Sequence, residues 1–282
     1  MLSSFIITFR ETLEVSLVVG IILSYLVKTK ETKYNPVVYV GLCAGIVASI
    51  LGAILFNTLA GGFEGAAEQI FEGVTMLLGA VLLTIMIFWM MQQKQVAVDI
   101  ENKVADHLSK AHRVELFLLV FFAVLREGIE TVIFLNAANF VSAENNLIGS
   151  FGGIIAAIFL GYLLFVASVK IPLKKYFTAT SVLLLLFAAG LVAHSVHEFE
   201  EAGLLPPIIE HLWDLNPEVN PDGSYPALHE KGIAGEFLNG LFGYNANPSL
   251  LEVFSYVSYL VVLAIVWKRI EWKKKNIIVA QQ

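Results

Sequence analysis

Two copies of the pattern Arg-Glu-x-x-Glu hold the residues of this chain that are best suited to chemistry. The first copy spans Arg10–Glu14 and the second spans Arg126–Glu130. The two glutamates of each copy are three residues apart, which on a helix places their carboxylates on neighbouring parts of one face. Two such carboxylates repel each other unless a cation enters between them, and the arginine balances part of the negative charge. The pattern therefore predicts a cation site.

A purely structural explanation accounts for only part of each motif. An ion pair at i, i+4 could join the arginine to the second glutamate, but it leaves Glu11 and Glu127 as surplus carboxylates. Both motifs lie inside apolar stretches, where insertion scales give about 2.5–3.5 kcal/mol for a charged residue at the membrane centre. Each motif places three charged residues in such a stretch, so the total cost favours a functional interpretation.

The ligand type narrows the class of ion. The motifs offer only carboxylate oxygens, and the chain has one cysteine, so a cysteine cluster is excluded. Oxygen ligands suit hard cations such as magnesium, calcium, manganese or iron, whereas Cu(I) and structural zinc use sulfur. These residues leave the choice between ferric iron and the divalent ions open.

The composition indicates a membrane protein. The 282 residues are 57% hydrophobic and 15% charged, while a soluble domain has about 25% charged residues. Apolar runs approach the roughly 20 residues that cross the bilayer as a helix. Seven spans are predicted, at about 5–26, 37–58, 72–91, 115–137, 149–169, 178–198 and 250–268. The predicted fold class is an all-α polytopic membrane protein with seven transmembrane helices.

Basic residues predict the orientation of these spans. Lysine and arginine are concentrated after the first, third, fifth and seventh spans. In residues 59–71, 138–148 and 199–249, the only lysine or arginine is Lys231. Basic loops stay in the cytoplasm, so the N-terminus is expected outside and the C-terminus inside.

The positions of the motifs predict an inverted repeat. The first motif comes shortly after its span begins and the second shortly before its span ends, so at about 1.5 Å per residue both lie at a similar depth in the outer half of the membrane. Spans 1–3 and 4–6 would be related by a pseudo-two-fold axis in the membrane plane. The expected single permease domain, 1–282, has repeats at about 1–95 and 115–200, an outer loop 199–249 and a seventh helix at about 250–268. Four glutamates would face each other near the axis as the transport site, with Arg10 and Arg126 balancing charge.

A second set of ionisable residues is expected at the outer side. His194, His197, Glu198 and Glu201 line one face at the end of the sixth span, and Glu72 lies near the start of the third. A concave acidic surface raises the local concentration of cations, so these residues are candidate accessory ligands. The alternative, a solvated helix end without such a role, stays open.

The motifs and their surroundings resemble the oxidase-dependent iron transporters, the high-affinity iron permeases of fungi and bacteria. The resemblance extends to Phe71-Glu72-Gly73, Phe88-Trp89-Met90, Phe121-Phe122-Ala123, Glu201-Ala202-Gly203-Leu204 and Gly240-Leu241-Phe242-Gly243-Tyr244. One difference is Thr12, where the family usually has the glycine that Gly128 provides; it bears on how closely the first span packs. The resemblance implies iron as substrate, with Glu11, Glu14, Glu127 and Glu130 as ligands. It also implies that loop 199–249 docks a periplasmic or extracellular iron-binding or iron-oxidising protein.

These observations predict an iron permease that moves iron from outside into the cytoplasm. It would be a multi-pass transporter of the cell membrane and not an enzyme, with ferric or ferrous iron as substrate, no cofactor and no nucleic acid partner. Two alternatives stay open. One is a permease for another hard or divalent cation such as lead or manganese, and the less favoured one is an intramembrane enzyme with a carboxylate-bound metal.

Overall fold

The computed structural model describes residues 2–92, 113–141, 146–165, 173–220 and 224–280, and within these ranges it is helical without strands. The helices are α1 Leu2–Lys28, α2 Asn35–Ala60, α3 Ala66–Gln92, α4 Arg113–Val141, α5 Asn146–Phe165, α6 Leu173–Glu201, α7 Ile233–Phe242 and α8 Leu250–Ala280. A 3₁₀ turn, Thr32–Tyr34, precedes α2. Each predicted span falls on one of the long helices, except that the end of the fifth, 166–169, lies outside the described residues.

Five stretches of helix are long and apolar enough to cross a membrane. They are Thr32–Ala60, Ala66–Trp89, Leu147–Phe165, Thr180–Glu201 and Leu250–Ile270. Helices α1 and α4 are equally long, at 27 and 29 residues, but each carries the charged residues of one motif. An all-helical membrane protein is therefore supported, while the count of seven spans and their orientation stay predictions.

The outer surface of the bundle is apolar. Ile50 of α2, Ile155 of α5 and Val262 of α8 are among many large apolar side chains that are more than half exposed. Apolar patches of this extent are unfavourable in water and mark a surface covered by another apolar phase. Lipid covers such a surface in a membrane protein.

The motif helices lie at the centre of the packing. Helix α1 packs on α5, α2 on α4 and α3 on α6, while α1 and α4 also contact each other and α8 packs on α6. One apolar cluster includes Ile7 of α1 and Phe134 of α4, and a second includes Ile22 of α1 and Val120 of α4. Each motif falls between these two clusters along its helix, so apolar packing on both sides fixes its position.

Glycines set the distance between the motif helices and their neighbours. A Cβ at Gly41 of α2 would lie 3.0 Å from the carbonyl oxygen of Phe117 in α4. A Cβ at Gly153 of α5 would lie 2.8 Å from the backbone nitrogen of Phe9 in α1. Small residues let helices approach closely where lipid supplies no hydrophobic drive. Both motif helices are therefore held by close backbone contact.

The predicted outer loop contains one short helix, α7. It contacts α6, α1 and α4, and the Asn239 amide donates to the carbonyl oxygen of Val141 at 3.4 Å. Gly243 ends the helix with a φ of 66°, a left-handed conformation that glycine adopts without strain. At that point its backbone lies directly against Gly190 of α6, so the loop is packed onto the bundle at this helix.

Candidate metal centre between the two motif helices

The first motif places a buried arginine beside one of its two glutamates. Arg10 is fully buried, and its Nε donates to Oε1 of Glu14 at 3.2 Å. The Nη1 and Nη2 atoms of Arg10 and both carboxylate oxygens of Glu11 are buried without a hydrogen-bond partner among the described residues. Glu11 is 2% exposed, so its carboxylate is shielded from solvent and lacks a donor among the described residues.

The second motif uses its arginine differently. Arg126 contacts the adjacent Glu127 through Nη2 and through Nε, the latter at 3.0 Å, and its Nε lies 3.6 Å from Oε1 of Glu130. Glu127 is 3% exposed. Oε2 of Glu127 and Oε2 of Glu130 are buried without a partner among the described residues. Each carboxylate of this motif thus keeps one oxygen free.

The two motifs meet inside the bundle. One carboxylate oxygen from each of Glu11, Glu14 and Glu127 lies within 4.8 Å of the other two. Glu130 is not part of this trio, but it lies within electrostatic range of Glu14 and Glu127. Three of the four predicted ligands are therefore brought together, with the fourth beside them.

This arrangement is suited to a cation. Buried charged groups are costly unless they are paired or coordinate a metal, and the four glutamates exceed the two arginines by two charges. Hard cations bind oxygen ligands at about 2.0–2.6 Å. Oxygens within 4.8 Å of one another reach a common ion by small side-chain rotations. The centre can therefore hold a hard cation.

Nearby hydroxyl groups donate to the helix backbone. The Ser16 hydroxyl donates to the carbonyl oxygen of Thr12 at 2.8 Å, and that of Thr131 donates to the carbonyl oxygen of Glu127 at 2.7 Å. Hydroxyls of this kind complete the helix backbone. The ligand atoms that converge at the centre are carboxylate oxygens of Glu11, Glu14 and Glu127.

The structure explains why Thr12 is accommodated where the second motif has Gly128. A Cβ at Gly128 would collide with the side chain of Ser49 in α2, so close approach on α4 needs the glycine of the motif itself. On α1 the close approach is supplied by the partner helix α5, where Gly153 faces Phe9 and Gly161 faces Ser16. The first motif therefore packs closely without a glycine of its own.

The two histidines of the accessory set have different partners. His197 contacts Glu201 through Nε2 at 3.3 Å and Glu252 of α8 through Nδ1 at 3.1 Å. His194 instead forms a hydrogen bond of 3.0 Å between its Nδ1 and the carbonyl oxygen of Gly190. The two histidines are thus held by different partners.

The glutamates of this set gather where α3 begins and α6 ends. Glu72 lies within electrostatic range of Glu68 and Glu201, and Glu198 lies within range of Glu72 and Glu201. The Gln69 amide donates to Oε2 of Glu201 at 2.9 Å and links the two helices. We call Glu68, Glu72, Glu198 and Glu201 the acidic surface.

Sequence reasoning missed Glu252. Its carboxylate is 2% exposed and accepts hydrogen bonds from the Ser249 backbone at 3.0 Å and the Asn245 amide at 2.7 Å. His197, Glu200 and Glu252 each place a ligand atom within 4.8 Å of the others. The sequence pattern that could have indicated Glu252 is Ser249-x-x-Glu252 before an apolar run, which is typical of a capping box at the start of a helix. In the structure the Glu252 backbone N–H donates to Ser249 Oγ at 3.2 Å. Because donors already occupy both oxygens of Glu252, we describe this group as a polar clasp between α6 and α8.

Comparison with known proteins identifies the family. The description "Iron permease FTR1 family" belongs to the family model that matches residues 1–272. The "Ferrous iron permease EfeU" of Yersinia pestis is 35% identical over 261 residues, which cover 91% of this chain and 89% of that protein. The protein of the same name from Escherichia coli O6:H1 is 34% identical over 263 residues, 91% of each chain. No solved structure matches this chain. The resemblance drawn from the motifs is thus confirmed: the chain belongs to the iron permease FTR1 family and is a multi-pass membrane transporter, not an enzyme.

Proposed function

We propose that this chain carries iron from the outside or the periplasm into the cytoplasm, on a site formed by Glu11, Glu14, Glu127 and Glu130. The observation that carries the proposal is the convergence of three carboxylates from two helices within 4.8 Å, inside an apolar bundle. Membership of the iron permease family supports iron as the ion.

Ferrous iron is the form that we propose is bound. The relatives described above are named ferrous iron permeases. A divalent ion balances the two surplus negative charges of the four glutamates and two arginines. A trivalent ion would leave a net positive charge in an apolar interior, where an unbalanced charge is costly.

We propose that all seven long helices cross the membrane, with the N-terminus outside. At about 1.5 Å per residue, the 27 residues of α1 and the 29 of α4 are long enough to span the hydrocarbon. The glutamates of their motifs face the bundle interior, so five apolar helices can shield them from lipid. The alternation of basic and acidic loops supports the orientation.

The helix pairing supports an inverted repeat of α1–α3 and α4–α6. Exchanging α1 with α4, α2 with α5 and α3 with α6 turns the α1–α5 pair into the α4–α2 pair. The same exchange leaves the α1–α4 and α3–α6 pairs unchanged, and all four pairs are in contact. In this arrangement the motifs lie together at the pseudo-two-fold axis, where transporters built from inverted repeats place their substrate.

The acidic surface supports an access route on the outer side. In the proposed orientation, the start of α3 and the end of α6 both face outward, so Glu72, Glu198 and Glu201 would gather cations above the centre. His194 and His197 would be accessory groups of this region. Loop 199–249 is the proposed docking segment for a periplasmic or extracellular iron-binding or iron-oxidising protein.

Uptake into proteoliposomes tests the proposal. The purified chain would be reconstituted into vesicles, ferrous, ferric, manganese and lead ions would be offered in turn, and the metal content of the washed vesicles would be measured. We expect ferrous iron uptake by the wild type, its loss in Glu14→Gln and Glu130→Gln, and full uptake by Glu218→Gln, whose carboxylate is exposed in the loop. Uptake of manganese or lead without iron would overturn the substrate, and full uptake by both motif variants would overturn the site.

A further inference from the structure

The two arginines that head the motifs occupy opposite environments. Arg10 is 0% exposed, whereas the side chain of Arg126 is 52% exposed. Arg10 is bound to Glu14 one turn along its helix, and Arg126 is bound mainly to the residue next to it, Glu127. Two identical sequence patterns therefore hold one enclosed positive charge and one accessible positive charge.

Arg126 has a second partner on another helix. Its Cζ atom lies 5.6 Å from the centroid of the Trp89 indole ring in α3. A guanidinium group within about 6 Å of a ring centroid is attracted to the face of that ring, most strongly for tryptophan. Because 5.6 Å is near the outer limit, the guanidinium can gain attraction by moving closer to the ring.

The exposed face of α4 explains why such a partner is needed. Val114, Leu118, Phe122 and Ile129 are exposed apolar residues on this helix, and Arg126 interrupts the apolar face that they form. A charged side chain at a lipid-facing position is costly unless it finds a polar or aromatic partner or extends to the interface. The indole ring of Trp89 in α3 supplies such an aromatic partner.

An ion in the centre would act on the two arginines unequally. A cation between Glu11, Glu14 and Glu127 repels both guanidinium groups and competes with Arg126 for the Glu127 carboxylate. Arg10 is fully buried, so its guanidinium has no path to the bundle surface without repacking its neighbours. Arg126 is half exposed and already lies beside an aromatic ring.

We propose that Arg126 is the movable counter-charge of the site and that Trp89 is a positioning residue that holds its guanidinium while an ion occupies Glu127. Arg10 is the fixed counter-charge. The inference rests on the proposed iron permease function and adds to it that the arginines of the two motifs have different roles. Replacing Trp89 should destabilise the ion-bound state more than the ion-free state. In the ion-free state the Arg126 guanidinium still has the Glu127 carboxylate as a partner, whereas in the ion-bound state it depends on the indole ring.

The first test compares Trp89→Leu and Trp89→Phe with Trp272→Leu, a matched substitution at a tryptophan of α8 that is 67% exposed. Ferrous iron uptake into proteoliposomes would be measured across iron concentrations. We expect the half-saturating concentration to rise about tenfold in Trp89→Leu, the equivalent of about 1.4 kcal/mol of cation–π attraction. The maximal rate should change little, Trp89→Phe should lie in between, and Trp272→Leu should match the wild type.

The second test asks whether the effect passes through Arg126. Anaerobic equilibrium binding of ferrous iron to the purified protein would be compared for Arg126→Gln with and without Trp89→Leu, a measurement that works even if these variants transport nothing. We expect Trp89→Leu to have no further effect once Arg126 is replaced, since coupled residues are not additive. An equal effect in both backgrounds, or a Trp89→Leu variant that matches Trp272→Leu, would overturn the inference. If the wild type neither binds nor transports iron, the proposed function fails instead.

Discussion

Glu11 of α1 and Glu127 of α4 bury their carboxylates together, with ligand oxygens no more than 4.8 Å apart. Arg126 contacts Glu127, but among the described residues no donor reaches either oxygen of Glu11. The two buried carboxylates repel each other, and that of Glu11 lacks a hydrogen-bond donor in the described part of the chain. A cation between them would stabilise this arrangement.

Replacing Glu11 by glutamine should weaken ion binding and stabilise the ion-free protein. The amide keeps the shape of the carboxylate but removes an unpaired buried charge, so we expect about 1–3 kcal/mol of stabilisation without iron. Replacing a residue that only supports a metal ligand costs about 10–100-fold in metal affinity, so ferrous iron affinity should fall by at least this factor when a proposed ligand is replaced. Thermal unfolding in detergent without metal, together with anaerobic binding, checks both effects. A Glu11→Gln protein that is less stable than Glu218→Gln would contradict this account of Glu11.

Iron itself should stabilise the wild type against heat. A ligand that binds only the folded state adds about 2.7 kcal/mol at 100 times its dissociation constant. The unfolding temperature should therefore rise with ferrous iron or a divalent surrogate such as manganese. Glu11→Gln and Glu127→Gln should lose this response. A rise of equal size in the double variant would show that the metal binds elsewhere.

The two arginines should differ in their effect on stability. Arg10→Gln leaves Glu14 without its partner in the interior, and breaking a buried pair costs about 3–5 kcal/mol. Arg126→Gln also leaves a buried carboxylate, that of Glu127, without its partner, but the guanidinium that it removes is half exposed. Ion pairs with an exposed member are weaker, so we expect a smaller cost. The folded fraction after heating, followed by size-exclusion chromatography, distinguishes them. Equal losses for the two variants would mean that exposure does not separate their roles.

Substitutions at two glycines of α2 should differ sharply in their effect on folding and iron uptake. A Cβ at Gly45 would lie 2.7 Å from the Cβ of Val124 on the motif helix, whereas one at Gly52 has nothing within 4 Å. Overpacking a close interface costs about 1–3 kcal/mol, so Gly45→Val should reduce both folded yield and iron uptake. Gly52→Val is the matched control on the same helix and should behave as wild type. If both variants were equally impaired, helix propensity and not the contact with α4 would explain the loss.

The polar clasp should matter for stability more than for iron affinity. Glu252→Gln removes the ion pair with His197 while it keeps the helix start, and losing a hydrogen bond to a charged group costs about 1.5–3 kcal/mol. Thermal unfolding should therefore shift while the half-saturating iron concentration stays near that of the wild type. A large change in half-saturation at unchanged stability would instead indicate that the clasp binds iron on its way to the centre.

The sequence by itself determined the local spacing of the motif glutamates and the membrane character of this protein. Helical periodicity makes Glu11 and Glu14 neighbours wherever the helix lies, and apolar runs of sufficient length predict helices whatever their partners are. The motifs and their flanking residues were also specific enough to indicate the family, which the comparisons confirm.

Only the tertiary structure decided how the contacts of the two motifs differ. Arg10 binds Glu14 whereas Arg126 binds Glu127, and one arginine is enclosed while the other lies beside Trp89. It also joined Glu252 to His197, although these residues lie on different helices. The physical reason is that local spacing fixes contacts within one helix, whereas contacts between helices depend on how closely glycines let the backbones approach and on which face each helix turns inward.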